Sequence, residues 1–149
     1  MSASIDNNNT DLAAELRKSI EGDVKFDAYS RLLYSTDASI YQIEPVGVVV
    51  PRHKGDVHAV IEIANRLGVT LLPRGGGTSL AGQCVGHSIV LDFSKYMQGV
   101  LEVNKDELWC RVQPGLVQDE LNMYVRGQGL QFGPDTSTSN RATIGGMVG

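Results

Sequence analysis

The stretch that decides the fold of this chain is Pro73-Arg74-Gly75-Gly76-Gly77-Thr78-Ser79-Leu80-Ala81-Gly82-Gln83. It follows residues 69–72, a short apolar segment that is typical of a β-strand. Glycine adopts positive φ angles and allows another group to approach the backbone closely. Successive N–H groups in such a turn form an anion-binding concavity, and the two hydroxyl residues add further donors. The stretch therefore predicts a loop that binds a diphosphate group.

Two familiar phosphate-binding loops are excluded by the residues present. The nucleoside-triphosphate loop, G-x-x-x-x-G-K-[ST], would need Lys and Ser or Thr after Gly82, where the chain has Gln83 and Cys84. The dinucleotide fingerprint G-x-G-x-x-G would begin at Gly75, but Leu80 stands at its third glycine position. A glycine turn with a purely structural role is the remaining alternative.

The composition predicts one ordinary globular domain. The chain has 149 residues, of which 42% are hydrophobic and 20% are charged, and its net charge is −4. Lysines and arginines are scattered without a basic stripe, which argues against nucleic acid as a partner. No apolar run approaches the length of a membrane span, and the polar N-terminus does not resemble a signal peptide. We therefore expect no nucleic-acid partner and no transmembrane segment.

The cysteines and histidines do not form a metal-binding pattern. Cys84 and Cys110 are far apart in the sequence and do not make a C-x-x-C pair. His53, His58 and His87 have no metal-ligand spacing with these cysteines. Two cysteines without a secretory leader are typical of reduced thiols in the cytosol. We therefore predict a cytoplasmic protein without a metal site.

Hydrophobic periodicity predicts helices and strands along most of the chain. The predicted elements begin with an unstructured lead over 1–9, helices over 10–21 and 28–34, and a buried strand over 46–50. A helix with the apolar stripe Val57, Val60, Ile61, Ala64 and Leu67 follows, and then strands over 69–72 and 88–93. The second half contains a hairpin over 100–103 and 108–112, a helix with the stripe Val117, Leu121, Tyr124 and Val125, and a loop-rich segment over 131–149.

The order of these elements predicts an α+β fold. The strands over 46–50 and 69–72, with the helix between them, form a βαβ unit, which is expected to be parallel and right-handed. The hairpin after residue 100 then supplies a partly antiparallel sheet with flanking helices. The fold is therefore a small parallel βαβ sheet followed by a second, mixed layer.

A second glycine-rich segment, residues 133–146, repeats the chemistry of the first loop. It carries glycines and small hydroxyl residues and few bulky side chains. A long loop of this composition is either a flexible linker or is built around a ligand. Two glycine-rich walls suit a long, flat cofactor that carries a diphosphate.

Four segments, in order, resemble those of a known flavoprotein superfamily. Residues 73–83 resemble the FAD diphosphate loop of the vanillyl-alcohol-oxidase/p-cresol-methylhydroxylase (PCMH-type) superfamily. Three further segments are similar to other conserved parts of this superfamily. They are residues 45–51, Val112-Gln113-Pro114-Gly115, and Pro134-Asp135 with Ala142-Thr143-Ile144-Gly145-Gly146. The branch that the chain resembles most is the FAD-linked D-lactate dehydrogenase and the glycolate oxidase FAD subunit.

The resemblance implies a PCMH-type FAD-binding domain over residues 27–149, preceded by an N-terminal lead and helix over 1–26, with FAD between the two layers. In this family the FAD-binding domain continues beyond the segment that ends at Gly149, and a substrate domain follows. We therefore expect a truncated chain, incomplete at its C-terminus, that is inactive alone. The family's catalytic residues lie in the later parts, so no catalytic residue is assigned.

Carried over residue by residue, the resemblance implies a set of FAD-binding residues. The N–H groups of the glycine loop and the Ser79 hydroxyl would hold the diphosphate, with Arg74 and Gln83 beside it. Some members attach FAD covalently through a His where this chain has Thr78, so we expect non-covalent FAD. The predicted cofactor-binding residues are Arg74, Gly75, Gly76, Gly77, Thr78, Ser79, Gly82, Gln83, Pro114, Gly115, Pro134, Asp135, Thr136, Thr143, Ile144, Gly145 and Gly146.

The resemblance also implies a function for the parent protein. It would be an FAD-linked oxidase or dehydrogenase that oxidises a D-2-hydroxy acid, such as lactate or glycolate, by hydride transfer to FAD. An iron–sulfur electron-transfer module, or association with a membrane through partners, is a further expectation from the branch. Two alternatives stay open: a non-redox module that binds nucleotide phosphates, and a fragment too short to bind the cofactor.

Overall fold

The computed structural model describes the backbone of residues 2–149 and the side chains of residues 9–149. The helices and strands, in chain order, are α1 (Ser2–Ser19), β1 (Asp23–Lys25), α2 (Ala28–Leu33), β2 (Gly47–Val50), α3 (Lys54–Leu67), β3 (Leu71–Arg74), β4 (Ile89–Asp92), β5 (Val100–Asn104), β6 (Trp109–Val112), α4 (Gln118–Arg126) and α5 (Ile144–Val148).

The first layer is a four-stranded sheet with the order β1-β2-β4-β3. Strands β2, β4 and β3 are parallel, and β1 pairs antiparallel with β2. The predicted parallel βαβ unit is present, but β4 lies between its two strands. Every residue of β2 and β4 is buried, as expected for central strands covered on both faces. Strand β3 contains Pro73 and lies at the edge, where a missing N–H group is tolerated.

Helices α1 and α3 cover one face of this sheet. Leu16 of α1 and Val60 of α3 are fully buried against Val49 and Ile89 of the central strands. The buried face of α3 differs from the predicted stripe, because Ile63 is buried whereas Ile61 and Leu67 are 47% and 43% exposed. The contact with α1 decides which face of α3 is buried, and periodicity within one helix does not specify that contact.

The N-terminal segment contributes more structure than the sequence predicted. Helix α1 begins at Ser2, so the expected lead over 1–9 is wrong for the described residues 2–9, and residue 1 lies outside them. Helices extend readily once nucleated, which lets α1 continue through polar residues. Strand β1 was not predicted, because three residues are too few to show alternation. The domain boundary at residue 26 stays a prediction.

A buried carboxylate joins this segment to the sheet. Asp56, in the first turn of α3, is 1% exposed and accepts hydrogen bonds from the N–H groups of Glu21 (3.0 Å) and Arg52 (2.8 Å). The turn before β1 is therefore held against the end of β2 and the start of α3.

The second layer contains the predicted β5–β6 hairpin and helices α4 and α5. Leu116, Leu121, Val125 and Ile144 form its buried cluster, whereas Tyr124 of the predicted stripe is exposed. The loop expected over 131–149 ends instead in the short helix α5. Its start is fixed by N–H groups of residues 144 and 145, which donate to the carbonyls of residues 116 and 114.

Candidate FAD-binding site

The first glycine loop begins where strand β3 ends, at the carboxyl end of the parallel sheet. Gly77 has a φ of +65°, which a residue with a side chain rarely adopts. Its carbonyl accepts a hydrogen bond from the N–H of Ala38. Within the described part of the chain, the N–H groups of residues 75–78 donate to no protein acceptor. Four successive donors are thus available to a ligand, as an anion-binding loop requires.

The second glycine-rich segment lies directly against this loop. A Cβ atom on Gly75 would overlap with the hydroxyl of Thr143, and one on Gly76 would overlap with the carbonyl of Arg141. These two glycines are therefore required so that the loops can pack together. This is a different reason from the approach of a ligand, which the sequence suggested, and Gly77 alone of the three requires a left-handed backbone.

Two adjoining cavities of about 380 and 520 Å³ open along the line where the two segments meet. We call them together the glycine cleft. The residues that line both cavities are Gly75, Gln83, Cys84, Thr143, Gly146 and Gly149. Pro114 and Gly145 line the first cavity, and Thr78 and Thr136 line the second. The two segments that the sequence predicted to share a ligand therefore do form one cleft.

Thr143 carries an unsatisfied hydroxyl group in this cleft. The residue is 3% exposed, and its Oγ1 atom is buried without a hydrogen-bond partner. Thr143 precedes α5 but does not cap it with its side chain. A buried polar group without a partner costs about 1–3 kcal/mol, so its presence on the cleft wall indicates a ligand that supplies the partner.

The Arg74 side chain hydrogen-bonds to backbone carbonyls next to the first glycine loop. Its guanidinium group donates to the carbonyls of Cys84 (2.9 Å), Thr36 (2.8 Å) and Tyr34 (3.4 Å) and lies 5.4 Å from the centre of the Tyr34 ring. These contacts use three of its five N–H donors within the protein. The charge nevertheless remains close to the glycine loop, since Gly77 lies against the guanidinium group. Direct contact between Arg74 and a diphosphate stays a prediction.

Two titratable groups lie close to Arg74. Burial raises the pKa of the Cys84 thiol, which the nearby Arg74 charge opposes. Burial also opposes ionisation of Asp37, but hydrogen bonds from Ser39 and Cys84, with the Arg74 charge, lower the pKa of Asp37 overall. The thiol on the cleft wall is therefore protonated near neutral pH.

The hydroxyl of Ser79 is engaged inside the loop. It donates to Oε1 of Gln83 and accepts from the N–H groups of Ala81 (3.3 Å) and Gln83 (3.4 Å). The Ser79 hydroxyl was predicted to hold the diphosphate, and Gln83 was predicted to lie beside it. Their mutual hydrogen bond shows that they also stabilise the turn that presents the free N–H groups.

Five predicted residues do not line the glycine cleft. Gly82 packs against the Tyr41 ring, Gly115 packs against backbone carbonyls, and Ile144 is in the core of the second layer. Pro134 and Asp135 line a separate polar pocket beside α4. The cleft also contains residues outside the predicted cofactor-binding set, among them Leu72, Phe93, Thr138, Ala142 and Met147.

Comparison with known proteins identifies the domain. A family model described as an FAD binding domain matches residues 45–149. The chain belongs to this family. Its curated relatives include the D-2-hydroxyglutarate dehydrogenase of Haemophilus influenzae, with 41% identity over 131 residues, and the glycolate oxidase subunit GlcD of Bacillus subtilis, with 33% identity over 133 residues. The alignments cover 86% and 87% of this chain but 13% and 28% of those proteins.

Solved structures confirm the fold of this FAD-binding domain. An alkyldihydroxyacetonephosphate synthase superposes with a TM-score of 0.81 at 23% identity, over 92% of this chain and 28% of that protein. A p-cresol methylhydroxylase superposes with a TM-score of 0.77 at 15% identity, over 89% and 27%. The predicted α+β, PCMH-type fold is therefore confirmed. The family match and the curated relatives confirm the predicted flavoprotein superfamily. No helix among the described residues is long and apolar enough to cross a membrane.

Proposed function

We propose that this chain holds non-covalent FAD in an FAD-dependent oxidoreductase that oxidises a D-2-hydroxy acid. The observation that carries the proposal is the buried, unpartnered Thr143 Oγ1 atom, which lies against Gly75 at the start of a loop whose N–H groups, those of residues 75–78, are free. Residues 75–78 and Thr143 line the same cavity, and the chain belongs to a family of FAD-binding domains.

The residues present fit FAD by their chemistry. The N–H groups of residues 75–78 suit an anionic diphosphate, and the Arg74 charge beneath them adds a favourable potential. The first cavity has a more apolar wall that includes Leu72, Phe93 and Pro114. A cofactor with a charged middle and a flat ring system needs both kinds of surface.

Two features support non-covalent binding. Thr78 stands at the loop position where a covalent tether would need a histidine. The nearby His87 lines neither cavity of the cleft, and its Nδ1 atom lies 3.3 Å from the carbonyl of Glu44. Affinity then depends on non-covalent contacts alone: hydrogen bonds, packing and the Arg74 charge.

The relatives support a D-2-hydroxy acid as the substrate of the parent protein. D-2-hydroxyglutarate dehydrogenases from three further bacteria are 42–43% identical over 130–140 residues, compared with 33% for the glycolate oxidase subunit. Within this class we favour D-2-hydroxyglutarate over lactate or glycolate. Bound FAD would supply the hydride acceptor for oxidation of the substrate carbon, and the domain described here would hold and orient the cofactor.

Other expectations remain part of the proposal. No residue of this chain is assigned to substrate binding or acid–base catalysis, so those roles would belong to other parts of the parent protein. We further expect the parent protein to pass electrons from the flavin to an iron–sulfur module and to be cytoplasmic.

The test is to incubate the purified chain with FAD, desalt it and record its absorption spectrum. Retained flavin bands, with a matched loss in Thr143→Val, support the proposal. A folded protein that binds ADP but no flavin would favour the nucleotide-phosphate module. A folded protein that binds neither would overturn the assignment of these two segments as a sufficient FAD site.

A further inference from the structure

Gln118 is a buried polar residue whose side chain is hydrogen-bonded to residues 134 and 136 of the second glycine-rich segment. It is the first residue of α4 and is 2% exposed. Its Nε2 atom donates to the carbonyl of Pro134 (2.7 Å), and its Oε1 atom accepts from the hydroxyl of Thr136 (2.8 Å). One carboxamide thus fixes a main-chain group and a side chain two residues apart.

The backbone of Gln118 holds the other end of the same segment. Its N–H group donates to the carbonyl of Ala142 (3.0 Å), next to the bridge between Val117 and Thr143. Thr136, Ala142 and Thr143 all line the second cavity of the cleft. Gln118 therefore connects two separated parts of one wall although it does not line the cleft itself.

This arrangement has a physical reason. Residues 133–139 contain no helix or strand, so their position depends on the few hydrogen bonds that they make. A buried amide whose nitrogen and oxygen atoms are both hydrogen-bonded favours a single geometry, because a shift of the loop would leave these atoms unpaired.

We propose that Gln118 is a positioning residue that sets the affinity for FAD by holding residues 134–142 in the geometry of the binding cleft. The inference rests on the proposed function, and it adds a residue that contacts no cofactor. Its consequence is that removing the carboxamide weakens FAD binding without removing any group that lines the cleft.

A matched control lies one turn further along the same helix. Oδ1 of Asn122 accepts a hydrogen bond from the N–H of Phe132 (2.8 Å). Asn122 thus also bonds from α4 to the backbone of this loop, but to a part that packs in the second-layer core and does not line the cleft. If any loss of loop anchoring weakened FAD binding, substitution of either Gln118 or Asn122 would do so. If the role is specific to the cleft, only substitution of Gln118 weakens FAD binding.

The experiment compares the dissociation constant for FAD of the wild-type chain with those of Gln118→Met, Gln118→Glu and Asn122→Ala. Methionine keeps the volume of Gln118 and removes both hydrogen bonds, so we expect about tenfold weaker binding. The Asn122→Ala variant is expected to bind FAD as the wild type does. Equal weakening in both variants, or none in Gln118→Met, would overturn the proposal.

The Gln118→Glu variant gives a readout that a packing role would not change. A protonated carboxyl group can donate to Pro134 and accept from Thr136 as the amide does, whereas an ionised one repels the carbonyl, and burial favours the neutral form. Its affinity relative to wild type should rise between about pH 8 and about pH 5.5. Asp119, Arg126 and Asp135 line the same pocket as Gln118, and comparison with wild type at each pH removes their contribution.

Hydrogen exchange without FAD separates this inference from the proposed function. In Gln118→Met we expect faster exchange of the N–H groups in residues 136–142, and in Asn122→Ala only near residue 132. If the wild type binds no FAD, the proposed function fails, while exchange still reports on the anchoring. Unchanged exchange over residues 136–142 in Gln118→Met would refute the positioning role directly.

Discussion

Gly75 and Thr143 lie so close together that any side chain on Gly75 would overlap with the Thr143 hydroxyl group. The same hydroxyl has no hydrogen-bond partner in the protein. This pair therefore marks the place where two glycine-rich segments, far apart in the sequence, meet and leave a donor for a ligand.

Replacing Thr143 with valine should affect stability and cofactor binding in opposite directions. Valine has the same shape but removes a buried unsatisfied polar group, so the free energy of unfolding without FAD should rise by about 1 kcal/mol. The affinity for FAD should fall about tenfold, because the cofactor loses a hydrogen bond. Chemical denaturation and FAD titration measure the two effects. A loss of apo stability in this variant would show that the hydroxyl has a partner within the protein.

A Gly75→Ala substitution should separate the two walls of the cleft. The new methyl group overlaps with Thr143, so we expect a loss of about 2 kcal/mol of stability and a loss of FAD binding. Gly127→Ala is the control, because Gly127 has ordinary helical angles and open space around its Cβ position. Thermal unfolding should show no loss in the control. If Gly75→Ala matches wild type in both assays, the contact between the segments is not required.

Asp56→Ala should destabilise the first layer. The N–H groups of Glu21 and Arg52 would lose their acceptor, and we expect a cost of about 2–3 kcal/mol in urea denaturation. Asp106→Ala, in the exposed β5–β6 turn, is a control with the same change of charge. A similar small effect in both variants would mean that the buried carboxylate does not hold the N-terminal segment.

Because of Tyr34, the free energy of unfolding should decrease as the pH rises in the alkaline range. Burial, together with its hydrogen bond to Asp92 (2.5 Å), raises the pKa of the Tyr34 hydroxyl well above its usual value. The folded chain therefore holds this proton more tightly than the unfolded chain. The resulting stability is complete below about pH 10, the ordinary tyrosine pKa, and is lost as the pH rises through the raised pKa.

The Tyr34→Phe variant tests this assignment. It should be less stable than wild type by about 1–2 kcal/mol at neutral pH, because Asp92 loses a donor. The difference between the two proteins should shrink above about pH 10 in denaturation experiments. A difference that stays constant up to the most alkaline pH at which both proteins remain folded would show that the Tyr34 hydroxyl does not titrate as proposed.

Much of the fold could be predicted from local sequence patterns. The apolar runs of β2 and β4, the β5–β6 hairpin and helices α2, α3 and α4 were all indicated by periodicity and turn residues. Strand β1 and the insertion of β4 between β2 and β3 could not be predicted, because strand order depends on contacts between distant segments. The predicted buried face of α3 was wrong at Ile61 and Leu67 for the same reason.

The sequence by itself determined the two walls of the cleft, since glycines and small hydroxyl residues form a recognisable pattern along each local segment. Only the tertiary structure decided how each polar group is used. Arg74 turns to carbonyls from residues 34, 36 and 84, and Gln118 reaches residues 134 and 136, whereas Thr143 is left without a partner. Whether a hydrogen bond forms depends on differences of a few tenths of an ångström in the distance between groups that are far apart in sequence, and local patterns carry no information about those distances.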